Sequence, residues 1–461
     1  MEVQTRIGVL DLNAQGLPTE ATVAKLFDEF DFQRAAQAYL WALPITAFAQ
    51  WQEQHEQVFG ARDGDIVTYT SSRDKIGLLT ANATTPYIIG FCDLSRTGPL
   101  VIDFPAGQTS GGLADFWQRS LTDFGETGPD KGRGGKYLVL GPDQAEPEGD
   151  DGYYLVQSPT FNVFHAFRIL SPDPAEGERI LGAYQVYPFS QRAAPHKTRI
   201  VPAAGRPWSG TQPRGMDYWT LLNGVLQKEP VQERDRYFMA MLRPLGIDKG
   251  QPFAPDGRQT TLLAQGAVIG EHMAIANSFE KRFLGAQYSP GSHWDRVLNV
   301  APSQEARYYS QLDERSAWFY EAVTLSQGMA SNTPGLGQAY LGCYRDTAGD
   351  WLDGGRDYHF RVAPDAPAKL FWSVSAYDIE TRCFVDTPLN RVDRGSRDDL
   401  IENADGSVDL YFGPQAPAGK PESNWIPTVS GRGWFAYLRL YGPLESYFDR
   451  SWPLADIVPT D

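Results

Sequence analysis

The chain has 461 residues, too many for a single hydrophobic core, which points to two or three domains. Its formal net charge of −16 sets up a field that repels phosphate backbones, which argues against a nucleic-acid partner. No polybasic run offers a lipid-surface patch, and no run of about 18 apolar residues could span a membrane.

The three cysteines, Cys92, Cys343 and Cys383, are odd in number and widely spaced, and no CxxC occurs. They therefore form neither a disulfide framework nor a structural zinc site, and a reducing compartment is compatible. The N-terminus lacks a basic stretch followed by an apolar one, so no secretory leader is read and a cytoplasmic, acidic protein is expected.

In chain order, residues 1–16 read as a loose arm. Leu17–Gly60 reads as helical, with Thr19 as a cap, Ala35, Tyr39, Ala42 and Leu43 at helical spacing, and Pro44 expected to kink or restart the helix. From residue 65 to 201 short β-prone segments alternate with Gly, Pro and Asp: Tyr87–Leu94, Pro99–Pro105, Lys136–Pro142, Tyr153–Ser158 and Asn162–Leu170. No amphipathic helix separates them, so an antiparallel β domain is expected rather than βαβ units. Pro202–Met216 is a Pro/Gly-rich linker, and a helical section follows to residue 329, its last helix read across residues 304–329. Residues 330–461 return to β, in segments such as AYLGCYRD, KLFWSVSAYD, SVDLYF and GWFAYLRLYG. The fold class is α+β: two antiparallel β-sandwich-like domains, with an N-terminal helical lead over residues 1–64 and a helical middle over 202–329.

Common catalytic signatures are missing. There is no HExxH, GxSxG, dinucleotide fingerprint or P-loop, and the six histidines do not pair at ligand spacing. His272, beside Glu271 on a helix, is the histidine placed to face a cleft; His165 and His359 read as core or surface residues. Carboxylates beside aromatics offer general acid–base chemistry where burial raises their pKa: Asp103, Asp115, Asp123, Asp378 and Asp386. Their structural alternative is turn and helix capping. Tyr87 and Tyr377 supply phenols for proton donation or oxyanion support. Asn390 and Arg391 suit a ligand carboxylate, and Trp117 and Trp372 suit pocket walls, although pairing and core packing explain them as well.

Several of these segments together resemble the tandem DUF1254/DUF1214 family, two domains of unknown function. In the N-terminal half the resemblance rests on TANATTPYIIGFCDLSRTGPLVIDFP, GLADFWQRSLTDFG and FNVFHAFRIL. In the C-terminal half it rests on AYLGCYRDTAGDWLDGGRDYHFRV, FWSVSAYD, TPLNR, NADGSVDLYF, NWIPT and LRLYGP. The resemblance covers about Phe32 to Pro453. It implies a DUF1254-like β domain at 65–201 and a DUF1214-like β-sandwich at 330–461, without a settled reaction. The family usually carries Thr-Pro-Asn-Asn-Asp-Thr where this chain reads Thr80-Ala81-Asn82-Ala83-Thr84-Thr85. Asn82 is retained and joins the candidate substrate-binding residues, while Ala83 and Thr84 depart.

The function expected is that of an enzyme, a hydrolase or lyase. It would act on a small organic or sugar-like molecule in an inter-domain pocket by acid–base chemistry without metal or cofactor. Tyr87, Asp115, Tyr377 and Asp378 are the candidate catalytic residues, and Asn82, Trp117, Trp372, Asn390 and Arg391 the candidate binding residues. The alternatives are a non-catalytic small-molecule binding protein using the same pocket, and an assembly protein whose aromatics build a homo-oligomer interface.

Overall fold

The computed structural model describes residues 1–147 and 152–460. The expected loose arm is instead a hairpin of β1 (Glu2–Thr5) and β2 (Gly8–Asp11). Asp11 N donates to Thr22 Oγ1 (2.9 Å) and Lys25 Nζ to Val9 O (2.8 Å), which ties the hairpin to the first helix.

Helix α1 (Glu20–Gln57) is capped by Thr19 and runs through Pro44 as one element, not as two. Proline removes one N–H and crowds the preceding turn, which would normally weaken a helix interior. Here the carbonyls around it are taken up by side chains from elsewhere. Tyr39 O accepts from Tyr218 OH (2.7 Å), Trp41 O from Arg315 Nη2 (2.6 Å), and Pro44 O from Gln118 Nε2 (2.6 Å).

The first β domain follows, with strands β3 (Ile66–Tyr69), β4 (Tyr87–Asp93), β5 (Leu100–Phe104), β6 (Thr109–Asp115), β7 (Ser120–Gly125), β8 (Gly135–Leu140), β9 (Tyr153–Gln157), β10 (Asn162–Ile169), β11 (Gln185–Pro188) and β12 (Ile200–Pro202). They form a six-stranded sheet, β12-β3-β4-β10-β6-β7, and a four-stranded sheet, β11-β5-β8-β9. Pairing is antiparallel except for β12–β3 and β8–β9. Side chains alternate faces along a strand. On β4, Ile88 and Cys92 therefore enter the core between the two sheets, while Tyr87, Ile89 and Phe91 face the helices.

The middle section supplies four longer helices, here α2 (Met216–Lys228), α3 (Arg236–Leu242), α4 (Gly257–Phe279) and α5 (Leu312–Glu321). The last is shorter than its sequence promised. It stops before Val323 and Thr324, β-branched residues that favour helix poorly. Thr324 adopts φ 72° and gives its N–H to Gln118 Oε1 (2.7 Å), so residues 322–331 form a strap and not another turn of helix.

The second β domain contains β13 (Trp294–Arg296), β14 (Gln338–Cys343), β15 (Tyr358–Val362), β16 (Ala368–Asp378), β17 (Asp393–Gly395), β18 (Val408–Gly413), β19 (Trp425–Pro427), β20 (Trp434–Pro443) and β21 (Val458–Pro459). Five strands form the sheet β13-β14-β20-β16-β17 and four form β19-β18-β15-β21. Leu341, Val374, Leu410, Phe412, Leu438 and Leu440 fill the space between these sheets. The outer face of the five-stranded sheet turns toward the first domain and the helices, and one continuous core joins all three. Among the described residues no helix is long and apolar enough to cross a membrane.

Candidate functional site

The alternation that buries Leu438 and Leu440 in the second domain sends Tyr437, Arg439 and Tyr441 of β20 to the opposite face. Register places Gln338 and Tyr340 of β14 beside Tyr441 and Arg439 on one side, and Phe371, Ser373, Ser375 and Tyr377 of β16 on the other. The result is a polar, phenol-rich seam across an otherwise apolar sheet. It faces the six-stranded sheet of the first domain, from which β10 contributes Phe164, Ala166 and Arg168 and β4 contributes Tyr87 and Ile89.

A cavity of about 90 Å³ lies between the two faces, lined by Tyr87, Arg168, Tyr340, Tyr437 and Arg439 among apolar walls that include Leu78, Ile89, Phe164, Val323 and Met329. The strap at 322–331 forms one side. Met329 and Tyr340 also line an outer cleft of about 760 Å³, and Tyr87 lines a second cleft of about 590 Å³, so the cavity sits between two open approaches.

The two arginines reach across the domain boundary in opposite directions. Arg168 donates through Nη1 to Tyr441 OH (2.9 Å) and through Nη2 to Gln338 Oε1 (3.0 Å). Arg439, buried at 3% exposure, donates to Tyr377 OH and to Thr80 O. Phenol rings surround both guanidiniums: Tyr87 and Tyr441 lie 5.8 and 5.4 Å from Arg168, and Tyr437, Tyr377 and Tyr340 lie 5.1, 5.4 and 5.6 Å from Arg439. Neither arginine makes an ion pair with a carboxylate among the described residues.

Tyr437 also donates to Glu321 Oε1, a carboxylate that accepts from Tyr344 OH and pairs with Lys281 Nζ (3.3 Å), all buried. Burial and the neighbouring Glu321 charge raise the Tyr437 phenol well above its ordinary range, so it stays protonated at neutral pH. Lys75, its ammonium 5.3 Å from the Tyr87 ring, is buried and donates to Ala83 O (3.1 Å) and Thr85 O (2.8 Å), and desolvation lowers its pKa to about 7. Burial, with the nearby Asp398 charge, pushes Asp393 up to about 6; Thr84 Oγ1 sits 3.4 Å from it. The two departures from the family's run thus fall at the second cleft, where Ala83, Thr84, Trp372 and Asp393 are neighbours.

The residues singled out from the sequence separate into three groups. Tyr87 lines the cavity, and its hydroxyl accepts from Asn82 N (3.1 Å). Asn82 and Tyr377 stand one bond behind the wall: Asn82 Nδ2 donates to Tyr441 OH, and Tyr377 OH donates to Ala81 O while receiving Arg439. Trp372 borders the second cleft. The others lie elsewhere. Asp115 holds a turn, accepting from Trp117 N (2.9 Å), Arg119 N (3.0 Å) and Arg119 Nε (2.6 Å). Trp117 packs on Trp41 with ring centroids 4.7 Å apart. Asp378 caps the following turn through Glu380 N and Thr381 N and pairs with Arg432. Asn390 takes a left-handed turn conformation at φ 52°, and Arg391 pairs with Glu422 (3.3 Å). His272 points to solvent and contacts Val268 O of its own helix (2.8 Å). His165 is buried against Tyr184 OH (2.8 Å), and burial lowers its pKa to about 3. Among the described residues no three His, Cys, Asp or Glu side chains are grouped to hold a metal ion.

Arg168, Tyr340, Tyr437, Arg439 and Tyr441 were not anticipated as site residues. For Tyr437, Arg439 and Tyr441 the signal is present as polar residues at every second position of YLRLY, on a strand whose other face is aliphatic; Arg168 and Tyr340 lie on β10 and β14, outside that run.

Residues 66–188 match the family described as a protein of unknown function, DUF1254, and residues 337–445 match DUF1214, described in the same words. The chain belongs to the tandem DUF1254/DUF1214 family. In DUF1254/DUF1214 terms, the first match contributes Tyr87 and Arg168 to the cavity and the second contributes Tyr340, Tyr437 and Arg439, so neither matched segment contains the site alone. The crystal structure of the VPA0106 protein from Vibrio parahaemolyticus is similar over 94% of this chain and 100% of its own, with 16% identity and a TM-score of 0.59, a likeness of fold. A putative uncharacterised protein from Burkholderia cenocepacia aligns over 95% of this chain and 96% of its own, at 13% identity and a TM-score of 0.40. No curated protein matches the chain.

Proposed function

We propose that the protein is an enzyme acting on a small organic or sugar-like molecule in the inter-domain cavity by acid–base chemistry, as a hydrolase or lyase. One observation carries the reading: Tyr437 reaches the cavity wall while its hydroxyl is anchored on buried Glu321, with Arg439 beside its ring. With its one proton held on Glu321, the phenol oxygen can take a proton from a substrate hydroxyl or an attacking water while its own passes to the carboxylate, a general-base relay. Tyr87 and Tyr340 offer further donors, and the apolar walls keep the site poor in water, which strengthens each of these interactions. The aliphatic lining favours an organic skeleton over a sugar. The three cysteines are free and buried, which suits a reducing compartment, and the cytoplasm is the setting we assign.

A non-catalytic binding protein would use the same cavity, and the test separates the two. The unsubstituted protein and Tyr437→Phe are incubated with a library of small esters, lactones, hydroxy acids and enols, and products are read by mass spectrometry. Turnover that falls about 10²- to 10⁴-fold in Tyr437→Phe, with binding retained, supports the enzyme. Binding without conversion of any compound by the unsubstituted protein would leave only the binder.

A further inference from the structure

We infer that Arg168 and Arg439 together form a seat for the carboxylate of a small organic acid, an inference that rests on the inter-domain cavity being a ligand site. The argument is one of charge and donor count. A guanidinium stays ionised in proteins and carries five N–H donors. The partners of Arg168 are the phenols of Tyr441 and Tyr340 and a carboxamide oxygen, and those of Arg439 are a phenol and a backbone carbonyl. All of these partners are neutral, and each arginine keeps N–H donors to spare. Burying a cation against neutral partners is costly unless an opposite charge arrives. The acidic neighbours do not supply it. Glu321 is matched by Lys281, and Asp393, at the outer cleft, is acted on by the charges of Lys75 and Arg394 ahead of that of Arg439 and forms no ion pair with either cavity arginine.

The arginines come from different domains, and both line the same cavity. The planar, forked donors of arginine match carboxylate geometry. The size of the cavity limits the body attached to that carboxylate. At about 90 Å³ it is smaller than the cavity of roughly 150 Å³ that admits benzene in an engineered protein, so it takes a short branched chain or, with small movements of Met329, a single ring. The walls facing the arginines are aliphatic and aromatic, which selects an apolar body behind an anionic head.

The test compares acids with their uncharged isosteres on the full-length protein at constant ionic strength. Benzoate and 2-methylpropanoate are set against benzamide and 2-methylpropanamide, with inorganic phosphate as a third arm, and thermal stability and calorimetric affinity are read. The expected result is that the carboxylates raise Tm and the amides do not. Arg168→Gln and Arg439→Gln should each weaken carboxylate binding about 10- to 100-fold, the loss of one charge-assisted contact. The acid–amide comparison on the unsubstituted protein decides the question even where a variant fails to fold. Equal binding of acids and amides overturns the charge assignment and leaves the cavity as a ligand site. Phosphate binding with no response to the organic acids overturns the carboxylate assignment. No response to any of the three, up to tens of millimolar, overturns the seat and removes the support for an inter-domain ligand site with it.

Discussion

Asp115 and Asp378 on one hand, and Arg168 and Arg439 on the other, are charged groups of the protein interior, and the fold treats them in opposite ways. Each aspartate is satisfied by its own neighbourhood. Asp115 accepts from the backbone two and four residues ahead and from Arg119, and Asp378 does the same for its turn with Arg432 added. The two arginines are separated by most of the chain and meet only when the domains dock, and no carboxylate among the described residues forms an ion pair with either. A charge neutralised locally maintains a turn. A charge left without a counter-ion beside a cavity is available to something that enters it.

Substitutions can break or sharpen that contrast. The largest effect is expected at Asp115, which is fully buried. Asp115→Ala strands Arg119 and two backbone donors and should cost about 3–5 kcal/mol in urea unfolding. A loss below about 1 kcal/mol would mean that the turn does not depend on it. Asp378→Ala should cost less, about 1–2 kcal/mol, because Arg432 is partly exposed and can turn to water. Arg439→Met should change the stability of the ligand-free protein by no more than about 1 kcal/mol, since removing an uncompensated cation offsets the two hydrogen bonds lost. A loss as large as that of Asp115→Ala would show instead that Arg439 is a structural clamp.

A pH dependence is expected at another buried cation, Lys75. Its folded pKa, about 7, lies below the ordinary lysine value, so the unfolded chain binds more protons between pH 7 and about 10. Its contribution to stability therefore rises with pH across that window and is at its worst below pH 7. Thermal melts from pH 6 to 10 should show a rise in the unsubstituted protein that flattens in Lys75→Met. An identical profile in both would indicate that Lys75 remains charged when folded.

What was legible in the sequence depends on how local each signal is. The α+β class and the two sheet-rich domains came from runs such as YIIGFCDL and KYLVLGP, whose strand character depends on near neighbours. The helical lead was equally plain. The continuity of α1 across Pro44 was not, because it depends on Gln118, Arg315 and Tyr218, partners distant in the chain. The same reason explains the site. Acidic residues beside aromatics drew attention as candidates, yet an Asp beside its own turn finds backbone donors first. The seam on β20 becomes visible only when Tyr437, Arg439 and Tyr441 are known to face a second domain and not water. Alternation showed that two faces existed, and only the docked structure showed what each face met.

The way α1 is held through its proline bears on whether the parts of this molecule can live apart. Gln118 comes from the first β domain, Tyr218 from α2 and Arg315 from α5, and each fills a carbonyl within a single stretch of α1. A fragment cut at residues 66–188 or 337–445 would lack that helix and expose the face it covers. The limits of recognisable family similarity are then not the limits of autonomous folding: either segment expressed alone should behave as an incomplete body, and proteolysis of the whole chain should release no stable half.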